Sequence, residues 1–191
     1  MRSCRSAVPP DDGGVTEVRT VHTADLDAGT LTAARMLLDD VFAGDFTDED
    51  WDHSCGGMHA LVLEGSELIG HAAVVQRRLL HGGRALRTGY VEGVGVRADR
   101  RGCGHGGALM SALERVIRGG YELGTLSATE DAAAFYTGRG WKPWRGPTFA
   151  LTPAGVVRTA DEDGGVFVLP VTASLDLSGE LACDWRDGEV W

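Results

Sequence analysis

The sequence predicts an α/β fold of the α+β kind, a central mixed sheet with one parallel strand pair in its middle and flanking helices. Two observations predict it: strand-like and helical segments follow one another along 191 residues, and a strand–helix–strand unit stands among them. A composition of 43% apolar and 24% charged residues is typical of a soluble globular protein. We expect a flexible leader over residues 1–14 and a single domain over residues 15–191.

The N-terminal half predicts two helices and several strands joined by tight turns. Apolar residues from Leu31 to Phe42 recur at roughly helical spacing, which predicts a helix that stops near Gly44. Thr47 opens a short acidic helix, and the pair Gly82-Gly83 marks a hairpin. The expected elements are a strand over 15–22, helices over 30–43 and 47–53, and strands over 58–64, 67–80 and 85–97.

The C-terminal half completes the strand–helix–strand unit from which we predict the parallel strand pair. Its helix carries Leu109, Leu113 and Ile117 on one apolar side. Two strands joined by such a crossover helix run parallel in one sheet. The expected elements are a helix over 104–118, a strand over 121–127, a helix over 130–138, a strand over 141–151 and a last strand over 165–171 before an acidic tail.

The distribution of charge argues against some partners and suggests others. The chain carries 28 acidic against 18 basic residues, a net charge of −10, and nucleic-acid binders lean basic, so we expect no nucleic-acid partner. Residues 36–76 hold nine acids and no Lys or Arg, residues 77–118 hold nine Arg against three acids, and residues 159–191 hold eight acids against Arg186 alone. Such blocks suggest one site for an anionic ligand and another for a cationic one, with solvated faces as the alternative.

Cysteine, histidine and apolar patterns bear on metals and on the cellular compartment. The four cysteines lie far apart and the six histidines are scattered, so we expect no metal site. Reduced thiols are typical of a cytoplasmic protein, which is the location that we expect. Residues 1–20 hold no secretion signal, and no stretch approaches the roughly 20 apolar residues that span a bilayer, so we expect no membrane partner.

The stretch from Val91 to Ile117 is the most informative, because it runs from a strand through a glycine-rich loop into a helix. Arg101, Gly104 and Gly106 follow the spacing Arg/Gln-x-x-Gly-x-Gly. The first amides of a helix have no internal partner and its dipole favours negative charge, so glycines there let a pyrophosphate approach closely. Two other interpretations stay open: a dinucleotide loop with the spacing G-x-G-x-x-G, and a glycine-rich turn that binds nothing.

Four motifs in this order resemble the GCN5-related N-acetyltransferases over roughly residues 15–171: VEGVGV, RRGCGHG, ELGTLSA and AAAFYTGRGW. The resemblance implies that acetyl-CoA lies in a cleft between two splayed parallel strands, here 90–97 and 121–127. It implies that backbone amides hold the cofactor, those of Val94, Gly95 and Val96 along the pantetheine and those of Arg101, Gly102, Cys103, Gly104, His105 and Gly106 around the pyrophosphate. We therefore do not expect Cys103 and His105 to act as a nucleophilic pair.

A narrower resemblance extends from about residue 17 to Trp191. The segments VHTADLD, AGDFTDEDWDH, GGMHALV, HAAVVQRRL, RALRTGYVEGV, GYELGTLS, GWKPWRGP and CDWRDGEVW together resemble the aminoglycoside 2′-N-acetyltransferases. This resemblance implies a cationic aminoglycoside as substrate, acetyl-CoA as donor, antibiotic resistance and a homodimer. It also implies that an amine of the drug attacks the thioester directly in a ternary complex.

Two residues are candidates for proton transfer. Glu92 is the only carboxylate on the strand that borders the expected cleft, and the resemblance implies that it acts as general base through a water molecule. The alternatives for Glu92 are an exposed strand charge, or a residue that binds the amine without relaying its proton. By resemblance Tyr136 protonates the departing thiolate as general acid, and its alternative is a packing role near the helix end at Gly140. We expect the neighbouring Phe135 to be the core residue.

The acidic segments provide candidate partners for the ammonium groups of an aminoglycoside. By resemblance these are Asp45, Asp50, Glu92, Asp161, Glu162 and the terminal carboxylate of Trp191, with neutral contacts from Ser127 and the backbone of Gly93. Asp50 also fits a helix start after Thr47, and residues 161–163 also fit a solvated loop. Glu162 stands where the family usually has Asp, which bears on drug range. Two other functions stay open: acetylation of a polyamine, amino sugar or protein amine, and a sensor without turnover.

Overall fold

Ten strands and four α-helices form over residues 16–191, the part of the chain that the computed structural model describes. The predicted leader over residues 1–14 lies outside the described residues, as does Val15. In chain order the elements are β1 (Thr16–His22), α1 (Ala28–Val41), α2 (Asp48–Ser54), β2 (Met58–Glu64), β3 (Glu67–His81), β4 (Arg84–Val96), α3 (His105–Gly120), β5 (Leu123–Ser127), α4 (Glu130–Gly138), β6 (Lys142–Pro143), β7 (Thr148–Thr152), β8 (Gly155–Arg158), β9 (Val166–Pro170) and β10 (Leu181–Cys183).

The described chain separates into two compact units that share the long strands β3 and β4. The first unit contains the described residues up to Ala73 and the segment Gly93–Leu113. The second unit contains Val74–Glu92 and Glu114–Trp191. The single domain expected over residues 15–191 stays a prediction.

The first unit is built on an antiparallel pair and a hairpin. Strands β1 and β2 pair along their whole length, from Thr16 opposite Glu64 to His22 opposite Met58. The hairpin from β2 into β3 turns at Gly65, whose φ of +62° is a conformation that glycine adopts without strain. These strands agree with the predicted ones to within a residue or two.

Helix α1 packs closely on the last residues of β4 in the same unit. Leu37 and Leu38 are buried on its apolar face. A Cβ placed on Gly95 would lie 3.0 Å from Cδ2 of Leu38, which is tighter than ordinary contact. Glycine at this position therefore lets the helix approach the strand backbone.

The second unit is a sheet with the strand order β6-β9-β5-β4-β3-β10-β7-β8. Strands β4 and β5 are parallel and pair through Thr88 opposite Leu123, Gly89 opposite Gly124 and Tyr90 opposite Thr125. This confirms the predicted parallel pair in the middle of a mixed sheet. The core of the unit consists of apolar side chains from most of these strands, with Trp191 among them. Its buried members are Val75, Leu79, Leu86, Tyr90, Leu123, Trp144, Ala150, Val166, Val168, Leu181, Cys183 and Trp191.

The strand predicted over residues 141–151 is wrong as one element, because it divides into β6 and β7. The amides of Arg145 and Gly146 both donate to the carbonyl oxygen of Leu177, at 2.9 and 3.1 Å, so they leave the ladder. Pro147 follows and has no amide hydrogen to donate. A Cβ on Gly146 would lie 1.9 Å from the carbonyl oxygen of Gly179, so this crossing of two backbones requires glycine.

The prediction that residues 165–171 form the last strand is also wrong. Strand β10 follows in the acidic tail and pairs with β3 on one side and with β7 on the other. Its pairing with β7 is parallel, so the sheet contains a second parallel pair besides the predicted one. Strand β8 was not predicted either, and it pairs antiparallel with β7 at the end of the order.

Between residues 16 and 191, none of the helices combines the length and the apolar character needed to cross a membrane.

Candidate active site

The predicted phosphate loop lies in the first unit, between β4 and α3. Gly102 and Gly104 have φ values of +78° and +87°, and nothing lies within 4 Å of a Cβ built on either. Glycine is therefore required there by backbone conformation and not by crowding. Residues 101–104 are exposed, and α3 begins at His105 with amides that have no partner inside the helix. The loop can receive an anion through its backbone.

The two arginines just before this loop are paired with carboxylates. The arginines of residues 77–118 are therefore not all available to an anionic ligand. Arg97 pairs with Glu67 and with Asp99, and Arg100 pairs with Glu64 at 2.7 Å. These contacts offset the positive charge of the two guanidinium groups. An anion at the loop would thus depend mainly on backbone amides, with Arg101 as the exposed basic side chain of the loop. Arg101 donates from Nε to the carbonyl oxygen of Val96 at 3.0 Å.

Gly93 marks an irregular point in β4, with a φ of +54° inside the strand. Its carbonyl oxygen is 2.9 Å from Nδ1 of His71, and since a carbonyl only accepts, Nδ1 carries the proton. Nε2 of His71 must then accept from Nδ1 of His59 at 2.8 Å. Nε2 of His59 in turn lies 2.7 Å from Oγ1 of Thr23 and accepts from that hydroxyl. One hydrogen-bonded chain therefore leads from Thr23 to the Gly93 peptide.

Both rings of this chain are fully buried. Desolvation lowers the pKa of His59 and of His71 to about 4, so both rings are neutral at pH 7. The spacing of the histidines contained no signal for this contact, because it depends on which strands are neighbours. Sequence reasoning missed both residues.

Glu92 is the last residue of β4 that belongs to the second unit, and it lies two residues beyond Tyr90, the last residue of β4 that pairs with β5. The pairing with β5 ends at Tyr90 and Thr125, although β4 continues through Val96 and β5 through Ser127. The Glu92 carboxylate forms an ion pair with the guanidinium group of Arg186, and both side chains are only 14% exposed. The alternative of an exposed strand charge is therefore wrong for Glu92.

Arg186 is a residue of this site that sequence reasoning missed. It follows β10, donates from Nε to the carbonyl oxygen of Glu189 at 2.8 Å and lies 5.3 Å from the ring centroid of Tyr90. The sequence did contain an indication of its role, because Arg186 is the one basic residue of a segment, 159–191, that holds eight acidic residues.

Glu162 and Ser127 lie together in the second unit. The Ser127 hydroxyl donates to Oε2 of Glu162 at 3.4 Å. Burial raises the pKa of the Glu162 carboxyl, and the negative charges of Glu189 and Asp161 raise it further. The positive charge of Arg186 lowers the pKa of the Glu162 carboxyl. This part of the second unit therefore contains several carboxylates and one cation.

The neighbouring acids differ in their roles. Asp161 is exposed at a short 3-10 helix. Asp163 pairs with Arg158, and its Oδ1 accepts from the Thr148 hydroxyl at 3.1 Å. Asp161 and Asp163 are both exposed, which fits the interpretation of residues 161–163 as a solvated loop, and Asp163 also makes these specific contacts there.

Asp45 and Asp50 lie in the first unit. Asp50 forms a capping box, in which its Oδ2 accepts from the amide and the hydroxyl of Thr47, both at 2.9 Å. The helix-start interpretation of Asp50 is confirmed. Asp45 is exposed in the turn that precedes this helix.

Tyr136 is buried and packs against Trp141 and Phe167, with ring centroids 6.2 and 6.1 Å away. Burial raises the pKa of its phenol to about 12. The prediction that Phe135 is the core residue is wrong, since Phe135 is 40% exposed and Tyr136 only 7%. The difference in burial follows from the position of each residue around helix α4, because Tyr136 faces β9, where it packs against Phe167.

The C-terminal residue is held by its side chain. The Trp191 indole is buried and donates from Nε1 to Oγ1 of Thr159 at 2.9 Å. The preceding carbonyl oxygen, of Val190, accepts from Nη1 of Arg77 at 2.7 Å. The end of the chain is therefore anchored in the second unit.

The two units divide the predicted site residues between them. The second unit contains Glu92, Ser127, Tyr136, Asp161, Glu162 and Trp191. The first unit contains Gly93, Val94, Gly95, Val96, Arg101, Gly102, Cys103, Gly104, His105, Gly106, Asp45 and Asp50. The structure thus brings the candidate acceptor carboxylates together in one unit, apart from Asp45 and Asp50, and the candidate donor residues together in the other.

Comparison with known proteins gives consistent results. A family model described as an acetyltransferase (GNAT) domain matches residues 22–144. A protein of Mycolicibacterium fortuitum named aminoglycoside 2′-N-acetyltransferase is 54% identical over 187 residues, which cover 95% of this chain and 96% of that protein.

Solved structures are similar in fold. A GNAT family acetyltransferase from Brucella melitensis in complex with acetyl-CoA has a TM-score of 0.61 at 15% identity, over 91% of this chain and 97% of that one. Escherichia coli ElaA has a TM-score of 0.58 at 18% identity, over 80% of this chain and 98% of that one. At these identities the likeness concerns the fold alone.

Proposed function

The chain belongs to the acetyltransferase (GNAT) family and is an N-acetyltransferase, and from this premise we propose that it acetylates the 2′ amine of aminoglycoside antibiotics. The observation that carries the proposal is the 54% identity, over 95% of the chain, to a relative with that name. A dinucleotide loop and a turn that binds nothing, the other interpretations of residues 91–117, do not account for this similarity.

Acetyl-CoA is the proposed donor, and it supplies an activated acetyl group as a thioester. The exposed glycine loop at the start of α3 fits its pyrophosphate, because Gly102 and Gly104 leave the backbone uncovered. We assign the amides of residues 101–106 to the pyrophosphate and those of residues 94–96 to the pantetheine. The side chains of Cys103 and His105 have no role in this proposal.

The acceptor is a polycation, and the carboxylates of the second unit suit it. Glu92 and Glu162 are partly buried there, and Ser127 donates to Glu162. We assign ammonium groups of the drug to these carboxylates, to Asp161 and to the terminal carboxylate of Trp191. By resemblance we also assign Asp45, Asp50 and the backbone of Gly93, all residues of the first unit, to contacts with the drug.

Two side chains provide the proton transfers of the proposed reaction. The acceptor amine is an ammonium ion at neutral pH and must lose a proton, and Glu92 takes that proton through a water molecule. Tyr136 keeps its own proton at neutral pH, because burial raises its pKa to about 12. It can therefore donate that proton to the thiolate that leaves the donor.

The experiment that tests the function measures release of free thiol from acetyl-CoA with tobramycin, which has a 2′ amine, and with kanamycin A, which has a 2′ hydroxyl. We expect turnover with tobramycin only. Equal turnover with both drugs would move the acetylation to another amine. Turnover with spermidine alone would support a polyamine acetyltransferase. Binding of acetyl-CoA without any turnover would support a sensor.

The proposed roles of Glu92 and Tyr136 require variants. We expect Glu92→Gln and Tyr136→Phe to lower kcat about a hundredfold or more, since general acid–base catalysis contributes on that scale. Tyr121→Phe is the matched control, because Tyr121 is a partly buried tyrosine of the second unit that has no role in this proposal. A kcat of Tyr136→Phe equal to that of Tyr121→Phe would remove Tyr136 from the mechanism.

A further inference from the structure

Arg186 occupies a place that an acceptor ammonium group would suit. Its guanidinium group forms an ion pair with Glu92 and lies close enough to Glu162 to lower the pKa of that carboxyl. Glu189 and Asp161 add negative charge to the same group. One internal cation therefore faces several carboxylates, which is the arrangement that a bound polyamine would also satisfy.

The segment that carries Arg186 is anchored on both sides. On one side, the Arg77 guanidinium donates to Oδ1 of Asp184 at 2.7 Å and to the Asp184 carbonyl oxygen at 2.8 Å. On the other side, it donates to the carbonyl oxygen of Val190, and the Trp191 indole donates to Thr159. These contacts do not involve Arg186.

Between the anchors, residues 185–189 form no helix or strand. Trp185, Asp187, Gly188 and Glu189 are exposed, and Gly188 has a φ of +73°. Arg186 is the residue of this stretch that is only partly exposed. Arg186 itself is held by Glu92, by the carbonyl oxygen of Glu189 and by the ring of Tyr90, and none of these three contacts belongs to the anchors. Displacement of its side chain from Glu92 therefore leaves the anchors of the segment in place.

A lasting ion pair between Glu92 and Arg186 is poorly suited to the proposed reaction. A carboxylate that is paired with a guanidinium group is a weaker proton acceptor, because the pair stabilises its charged form. A carboxylate that must receive a proton through water works better without that neighbour. If Arg186 leaves without a replacement, however, Glu92 stays partly buried without the counter-charge of Arg186, which is unfavourable.

We infer that Arg186 is an internal cation that holds the Glu92 carboxylate until an acceptor ammonium group displaces it. This inference rests on the proposed function. A monoamine offers one charge in exchange for the one that it displaces and gains little. A polyamine replaces Arg186 and also reaches Glu162 and its neighbours, so it gains contacts that Arg186 does not make.

The test compares Arg186→Gln with the wild-type enzyme at saturating acetyl-CoA. We expect the KM for tobramycin to fall about fivefold, because a competing ion pair of modest strength is lost. We expect the KM for glucosamine, a monoamine, to fall by a similar factor, because both acceptors displace the same cation, and the KM for acetyl-CoA to change less than twofold. Arg84→Gln is the matched control: it removes the same charge from an exposed pair with Glu122 and should change none of these constants.

Several results would overturn the inference. An unchanged or higher KM for tobramycin in Arg186→Gln would mean that Arg186 does not compete with the acceptor. A fall in kcat for every acceptor, with a shifted pH profile, would mean that Arg186 only positions Glu92. If Arg186→Gln unfolds, Arg186→Met removes the charge and keeps an apolar stem of similar length, and an unchanged KM for tobramycin there would also contradict the inference.

Failure of the proposed function is distinguishable from failure of this inference. Absence of turnover by the wild-type enzyme with tobramycin would contradict the function alone. In that case calorimetric binding of tobramycin to the wild-type and Arg186→Gln proteins still tests the displacement. Tighter binding to the variant supports it, and equal or weaker binding contradicts it.

Discussion

The first unit presents its candidate donor residues mainly through the backbone, whereas the second unit presents charged side chains. In the first unit, three glycines with positive φ shape the strand end and the phosphate loop, and two neutral histidines hold one of their carbonyl groups. In the second unit, the candidate groups are Glu92, Glu162 and the Arg186 guanidinium. The difference corresponds to the two ligands proposed, an anionic pyrophosphate and a cationic drug.

The backbone site and the carboxylate site are kept in place in different ways. A backbone site needs neutral, fully bonded neighbours, because any buried charge there would compete for the amides. A site of buried carboxylates needs counter-charges and firm anchors, because each carboxylate that loses its partner is strongly unfavourable. The two units should therefore respond differently to pH, to loss of charge and to added side-chain volume.

The largest expected effect concerns pH and the histidine pair. Both rings have a pKa of about 4 in the folded state, below the usual value of 6.5, because burial disfavours the charged form. The unfolded chain therefore binds protons first as the pH falls, and the folded state loses stability from about pH 6.5 toward pH 4. We expect the free energy of unfolding, measured with urea, to fall by about 2 kcal/mol per ring between pH 7 and pH 5.

The variant His71→Gln removes one of these titrations and should reduce that slope by about half. His81→Gln controls for the loss of an imidazole, since His81 lies in the second unit and contacts the carbonyl oxygen of Glu180. An unchanged slope in His71→Gln would mean that the neutral pair is not what makes the first unit sensitive to acid.

The next effect concerns the anchor of the acidic tail. Arg77→Met removes a guanidinium group whose side chain is 5% exposed and leaves Asp184 and the Val190 carbonyl without it. We expect a loss of about 3 kcal/mol in the free energy of unfolding, as for other broken buried pairs. Arg19→Met is the control, because the Arg19–Glu17 pair of the first unit is exposed and should contribute nothing measurable. Equal losses in the two variants would contradict the contrast between the units.

A smaller effect tests added volume at the backbone site. Gly93→Ala should lower the free energy of unfolding by about 2 kcal/mol, because φ is +54° and the new Cβ would lie 2.9 Å from Oγ of Ser54. Gly65→Ala separates the two causes, since its φ is +62° but nothing lies within 4 Å of a new Cβ. We expect about 1 kcal/mol there. An equal loss in the free energy of unfolding for the two variants would mean that crowding at Gly93 contributes nothing.

The smallest effect compares two helix starts. Thr47 caps α2 in the first unit through a hydrogen bond from the Asp50 amide, whereas Thr129 precedes α4 in the second unit without a side-chain cap bond. We expect Thr47→Ala to lower the free energy of unfolding by about 1 kcal/mol and Thr129→Ala to change it by only a few tenths. A larger loss at Thr129 would contradict the cap geometry.

Sequence patterns predicted well those features whose cause lies within a few residues. The capping box at Thr47 and the glycine loop before α3 are examples, because turn and cap preferences act over three or four positions. Patterns failed where a segment pairs with a distant one. Strand β10 is three residues long and owes its place to neighbours on both sides, and the 141–151 segment divides because its amides bond to Leu177.

The sequence by itself determined the order of the elements from β1 to α4, the conformation of the phosphate loop and the identity of the candidate carboxylates. These follow from local propensity and from motif, which need no knowledge of distant contacts. Only the tertiary structure decided which side chains meet. The contact of His59 with His71 depends on strand neighbours, the burial of Tyr136 instead of Phe135 depends on helix phase, and the pairing of Glu92 with Arg186 joins residues 94 positions apart. Such contacts depend on sheet order and packing, which no short stretch of sequence encodes.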